Sequence, residues 1–303
     1  MSGPEGSSNK RMLARAAGAA WFEPMGFLCP FEKRQDKAED RSMPDIVVHR
    51  SIAEKAFERL RPEIRGLIQP EVFRFAVMAP DLFFAYRFFA PRFRHGINLR
   101  AERIHHEQMA EFPVALAERG ERPEAFSFLC GWLCHYAADS TLHPLVNALR
   151  GDCRYMHGAI EHKLEALELA RQGKQHRDVM ALFPDFPDIP EARQAMKQVF
   201  GWDDDYDRIS YRHMKLQYWL YKDQHGLLNL LFGRTGGRLA SLSYRNRLAD
   251  GLDLSPFIEL ESEAVERGAE LMMAAFRYRA GEIDADALRA VIGNRNYSGV
   301  EAE

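Results

Sequence analysis

The sequence predicts an all-α fold, a multi-helix bundle carrying metal-ligand residue types, and three observations carry that expectation. Apolar residues return every three or four positions through most of the chain. No segment alternates apolar and polar residues long enough to argue a sheet. Histidines and carboxylates recur at the same one-turn interval, which places them on one helix face.

Residues 1–42 are rich in Gly, Ser and charge at both ends around a short apolar middle, and read as a flexible N-terminal extension. Ser51-x-x-Glu54 is a capping-box pattern that is expected to open the first firm helix. Helical periodicity then covers 70–79, 99–118, 122–143, 154–172, 190–200, 204–232 and 257–281. An all-α metal-binding domain over 43–292 and a C-terminal tail over 293–303 complete the division. Phe126, Leu129, Leu133 and Tyr136 form an apolar stripe at helical spacing and are expected in the core. Asp81–Phe89 carries five aromatics in nine residues; core packing is the simpler reading, and a pocket for acyl chains the alternative. The basic group from Arg234 to Arg247 reads as a solvated face.

At 303 residues and 46% hydrophobic content the chain can bury one large core. A net charge of -3 gives no electrostatic argument for nucleic acid. The four cysteines, at 29, 130, 134 and 153, do not read as a disulfide framework; Cys130 and Cys134 read as small buried residues. No apolar run approaches the roughly 20 residues a membrane span needs. Met12–Ala20 contains Arg15 and is too weakly apolar for a signal segment, so a cytoplasmic location is expected.

Chemistry concentrates in His135-x3-Asp139-x3-His143 and His157-x3-Glu161, five potential ligands inside 27 residues. A helix rises about 1.5 Å per residue, so neighbours in this row lie about 6 Å apart along the axis and the outer two about 12 Å. One ion, with bonds near 2 Å, can be shared by neighbours but not by His135 and His143 together, so the row suits more than one metal with Asp139 as a bridge. Eight of the eleven histidines fall between positions 49 and 162. His49, Asp81 after Pro80, and the pair His105-His106 are the upstream candidates.

Other metal and nucleotide folds fail on the string. There is no adjacent His-Asp dipeptide, and His106-Glu107 is followed by Gln108-Met109-Ala110 rather than by x-x-His. A Gly-x4-Gly-Lys phosphate loop and a Gly-x-Ser-x-Gly elbow are also missing.

The ordered set His49, Pro80-Asp81-x-Phe83, His105-His106, His135-Tyr136-x-x-Asp139, His143-Pro144 and His157-x3-Glu161 resembles the bacterial zinc-dependent phospholipases C, an all-helical family with three zinc ions in a cleft. The resemblance spans roughly residues 43 to 165. It implies one zinc held by Asp81, a histidine of the 105/106 pair (His105 favoured, His106 behind it), His135 and Asp139. A second would use His143, His157 and Glu161, and a third His49 with the other oxygen of Asp139. In the secreted enzymes a mature N-terminal tryptophan completes the third site, and this chain does not begin with one. Pro44 as a terminus, cleavage exposing Trp21, or the Asp45 side chain are the substitutes. Asp139 and His143 also stand closer than in those enzymes, which implies a shorter loop between them. Two firmly held Zn2+ ions are therefore expected, with a third weak or absent.

The function implied is hydrolysis of a phosphodiester, phospholipase C-like, with Asp81 orienting or deprotonating the attacking water. A phosphodiester or phospholipid is then the partner. The alternatives are a three-zinc nuclease and a metal-stabilised binding or scaffold protein without turnover.

Overall fold

The computed structural model describes residues 46–88, 96–151, 153, 156–222 and 249–301. Its helices are α1 (Ile46–Glu58), α2 (Pro62–Arg65), α3 (Pro70–Ala76), α4 (Asn98–His106), α5 (Glu111–Ala117), α6 (Pro123–Arg150), α7 (Met156–Arg171), α8 (Pro190–Phe200), α9 (Tyr206–Lys222), α10 (Ser255–Arg279) and α11 (Ala285–Ile292), with 3-10 segments at Ala79–Ala85 and His176–Leu182. Among the described residues no strand forms; Arg295 and Glu301 make an isolated antiparallel bridge. The fold is all-α, as the periodicity predicts.

The 28-residue α6 is the central rod. It packs against α1, α3, α5, α7, α8 and, most extensively, α10. Phe126, Leu129, Leu133 and Tyr136 are all buried, so the predicted stripe is core. Pro123 opens the helix, where a missing N–H costs nothing. The expected stop before Pro144 does not occur. Leu142, Leu145 and Val146 are buried on both sides of the proline, and their burial outweighs one lost ladder bond. No shortened loop separates Asp139 from His143, because both lie on this one continuous helix.

Three other expectations change. The first helix starts at Ile46, not at Ser51. Ile46 N–H donates to the Tyr218 hydroxyl at 3.2 Å, and Ser51, inside the helix, donates to Glu168 Oε1 at 2.5 Å instead of capping. The helix expected over 99–118 is two helices. Pro113 has no N–H for the carbonyl of Met109 and would clash with it, and the chain breaks at Gln108, whose φ is +58°. The pattern over 204–232 is helical to Lys222, beyond which its remainder lies outside the described residues, as do residues 1–45 and Arg234–Arg247. The segment 293–301 is packed rather than free, with Tyr297 1% exposed. Cys130 and Cys134 are buried free thiols, and burial pushes both well up from the ordinary range.

Close approach of α3 to α6 fixes where the first site aspartate falls. A Cβ on Gly131 would collide with the Phe73 carbonyl oxygen and lie 2.7 Å from the Ala76 Cβ. Only a glycine lets α3 lie this deep, and the 3-10 segment that follows α3 carries Asp81 over α6. Gly131→Ala should destabilise the protein by about 1–3 kcal/mol, read as a lowered urea midpoint.

Candidate metal centre

Site residues reach one region from five elements. His49 comes from α1, Asp81 from the 3-10 segment, His105 from α4, His135, Asp139 and His143 from successive turns of α6, and His157 and Glu161 from successive turns of α7. They form two groups, each with ligand-type atoms within 4.8 Å of one another: Asp81, His105, His135 and Asp139 in one, His143, His157 and Glu161 in the other.

Asp139 stands between them. Its Oδ2 lies 3.1 Å from His135 Nε2 and 3.5 Å from His105 Nε2. Its Oδ1 lies 2.6 Å from His49 Nε2 and 3.6 Å from His143 Nε2. Asp81 Oδ1 is 3.0 Å from His105 Nε2, and Oδ2 3.7 Å from His135 Nε2. In the second group Glu161 Oε1 sits 3.0 Å from His157 Nε2 and 3.5 Å from His143 Nε2. The His49 and His135 rings stack at 4.3 Å.

The tautomers follow from the backbone. His105 Nδ1 is 2.7 Å from the Ala101 carbonyl oxygen and His135 Nδ1 2.8 Å from that of Val77. A carbonyl only accepts, so each Nδ1 carries a hydrogen, and each ring, when it holds no second proton, turns an Nε2 lone pair toward the carboxylates. Lone pairs on nitrogen and carboxylate oxygen repel unless a cation lies among them. His135 Nε2 and Glu161 Oε2 are buried and make no hydrogen bond. This donor set, imidazole nitrogen and carboxylate oxygen with the far ring nitrogen tied to a carbonyl, fits zinc.

The charges agree. Burial would lower the His105 pKa, but hydrogen bonds and charge from Asp139 and Asp81 overcome it and raise it to about 10. Burial likewise opposes ionisation of Asp139, yet the surrounding histidines hold it well below the carboxylate range. Glu161 is held low by His157 and His143 against its burial, and His143 is raised against its burial by Asp139 and Glu161. A positive charge is what this site favours, whether proton or metal.

Of the sequence candidates, His106 is not brought in. It is exposed, with Asn296 Nδ2 3.5 Å from its Nδ1, because consecutive helical residues point about 100° apart and only His105 faces the centre. His49 meets Asp139 but belongs to neither group. Trp21, Pro44 and Asp45, the candidates for completing a third site, lie outside the described residues. Leu82 and Phe83 line an apolar cavity of about 310 Å³ with Phe75, Phe128 and Trp132, but Asp81 is not among its walls. Sequence reasoning missed Tyr297, whose ring centroid lies 4.5 Å from that of His105 and 5.6 Å from that of His135. Burial first, then the charge of Asp139, pushes its phenol well up. No helical period links it to the ligands.

Two outcomes are expected. If Asp139, a member of the first group whose Oδ1 also lies 3.6 Å from His143, bridges the two, Asp139→Asn should lower bound zinc by more than one equivalent by elemental analysis. In metal-free protein the raised His105 pKa contributes stability that is complete below about pH 6.5 and is lost as pH rises through about 10. The melting temperature of the metal-free chain should therefore fall over that window, while the zinc-loaded chain should not follow it.

Comparison with known proteins agrees with the geometry. No curated protein and no solved structure matches the chain. No helix among the described residues is long and apolar enough to cross a membrane. A sequence model described as zinc-dependent phospholipase C matches residues 48–224, more than half of the chain and the stretch that holds every ligand of both groups. On that match the chain belongs to the zinc-dependent phospholipase C family.

Proposed function

We propose that the protein is a zinc-dependent hydrolase of phosphodiester bonds, acting on a phospholipid in the manner of a phospholipase C. The observation that supports this best is the pair of ligand groups joined through Asp139, one of which ends on a carboxylate, Asp81, from a different element. A closed structural site needs four ligands and no neighbour, whereas two adjacent groups suit a substrate that must be held at two oxygens.

Asp81, His105, His135 and Asp139 would hold one zinc, and His143, His157 and Glu161 a second. His49, against Asp139 Oδ1, would serve a third ion or orient the bridging carboxylate. Bound zinc supplies a Lewis acid for the phosphoryl oxygens and lowers the pKa of water toward 7. Asp81, 3.0 Å from His105 Nε2 through Oδ1, would accept a proton from the attacking water. The Ala101 and Val77 carbonyls keep the His105 and His135 rings in the tautomer that leaves Nε2 free.

The test is turnover by zinc-loaded protein on phosphatidylcholine and on a chromogenic phosphodiester, with single-stranded nucleic acid alongside. Release of the phosphorylated headgroup is expected. Cleavage of nucleic acid alone would instead make the protein a nuclease, and zinc uptake without turnover on any of the three would make it a metal-stabilised binding protein. Asp81→Asn should reduce kcat by at least about a hundredfold while most zinc is retained; undiminished turnover would remove Asp81 from the role given to it.

A further inference from the structure

Residues 293–301 lie well past the matched region, yet they form a wall of the metal centre. Tyr297 N–H donates to the His105 carbonyl at 3.0 Å. Its ring, 1% exposed, touches the His105 and His135 imidazoles and meets Tyr136 edge-on at 5.2 Å. Those imidazoles belong to the first ligand group, and none of the second group is in ring contact with Tyr297.

The segment is built to stay there. Tyr136 Oη donates to the carbonyl of Arg295 at 2.9 Å, from the turn of α6 that adjoins His135. Asn296 Oδ1 accepts from the N–H groups of Ser298 and Val300, and Asn296 N–H donates to the Val300 carbonyl at 2.7 Å, which closes a tight turn behind Tyr297. Gly299 has φ +74° and sits where Pro144 removes one ladder bond from α6; a Cβ there would collide with the Pro144 ring and lie 2.8 Å from the Ser140 carbonyl oxygen. Pro144 has no N–H to offer that carbonyl, and the glycine lets the tail close over the interruption.

We infer that Tyr297 is a positioning residue of the metal centre, clamping the His105 and His135 rings so that both Nε2 atoms face Asp81 and Asp139, and that the C-terminal segment exists to hold it there. A histidine ligand is worth most when its ring cannot turn, and partners behind the ligands typically govern metal affinity by roughly tenfold to a hundredfold. The carbonyl bonds fix the Nδ1 end of each ring; Tyr297 supplies a side wall.

The inference rests on the zinc reading above, and its test separates the two. The dissociation constants of both ions are measured on the full chain by zinc competition with a chromophoric chelator. Tyr297→Ala should weaken one ion by roughly tenfold to a hundredfold and leave the other unchanged, and Tyr297→Phe, which keeps the ring, should restore the wild-type value. Gly299→Ala changes no residue at the centre and should reproduce the selective loss by displacing the segment; it decides the matter where Tyr297→Ala does not fold. Unchanged affinities in the folded variants overturn this inference alone, as does equal weakening of both ions. A wild-type chain that takes up no zinc overturns it together with the reading on which it rests.

Discussion

The structure around the centre follows from burying one carboxylate. Asp139 is 2% exposed and midway along the longest helix, where an ionised group without partners would cost several kcal/mol. Its two oxygens face different histidines, His105 and His135 on one side, His49 and His143 on the other. Elements distant in sequence must therefore converge on α6 with groups that can carry or bind positive charge. Removing that charge from the region would leave two aspartates and several lone pairs facing one another in a dry interior.

Packing supplies the convergence. Gly131 admits α3 to backbone contact with α6, and the 3-10 segment follows immediately, which is how Asp81 reaches a helix that comes much later in the chain. Serine, tyrosine and carbonyl groups do the finer work. The Tyr218 hydroxyl meets the first N–H of α1, which carries His49, and the backbone carbonyls of Val77 and Ala101 orient two rings. These contacts set where each nitrogen points, which is the property a metal centre depends on.

Part of this was legible in the sequence because it is written in a local period. His135, Asp139 and His143, and again His157 and Glu161, declare a shared face by their spacing alone. The remaining ligands carry no such mark. His49, Asp81 and His105 join the site through tertiary folding, and only their order beside the helical pairs, read as a family resemblance, placed them there. Helix ends were harder. Pro144 promised a stop that burial of Leu145 and Val146 overrode, whereas Pro113 marked a real break inside a pattern that looked continuous. Tyr297 was invisible for a different reason: an aromatic in a short irregular stretch has no period, and its contacts lie more than a hundred residues away along the chain.

The scattering of the ligands along the chain has a consequence for how the protein holds together. Asp81, His105 and His135 come from segments separated by long stretches of chain, and one ligand group gathers them, with His49 against its Asp139. Ions bound there would act as branched cross-links, closing several large loops at once in a chain that has no disulfide among its described cysteines. Loading would then stabilise the fold, and the amino-terminal helices could not loosen from α6 without releasing the ions. Scarcity of metal would then reach this protein as a loss of stability as well as a loss of chemistry.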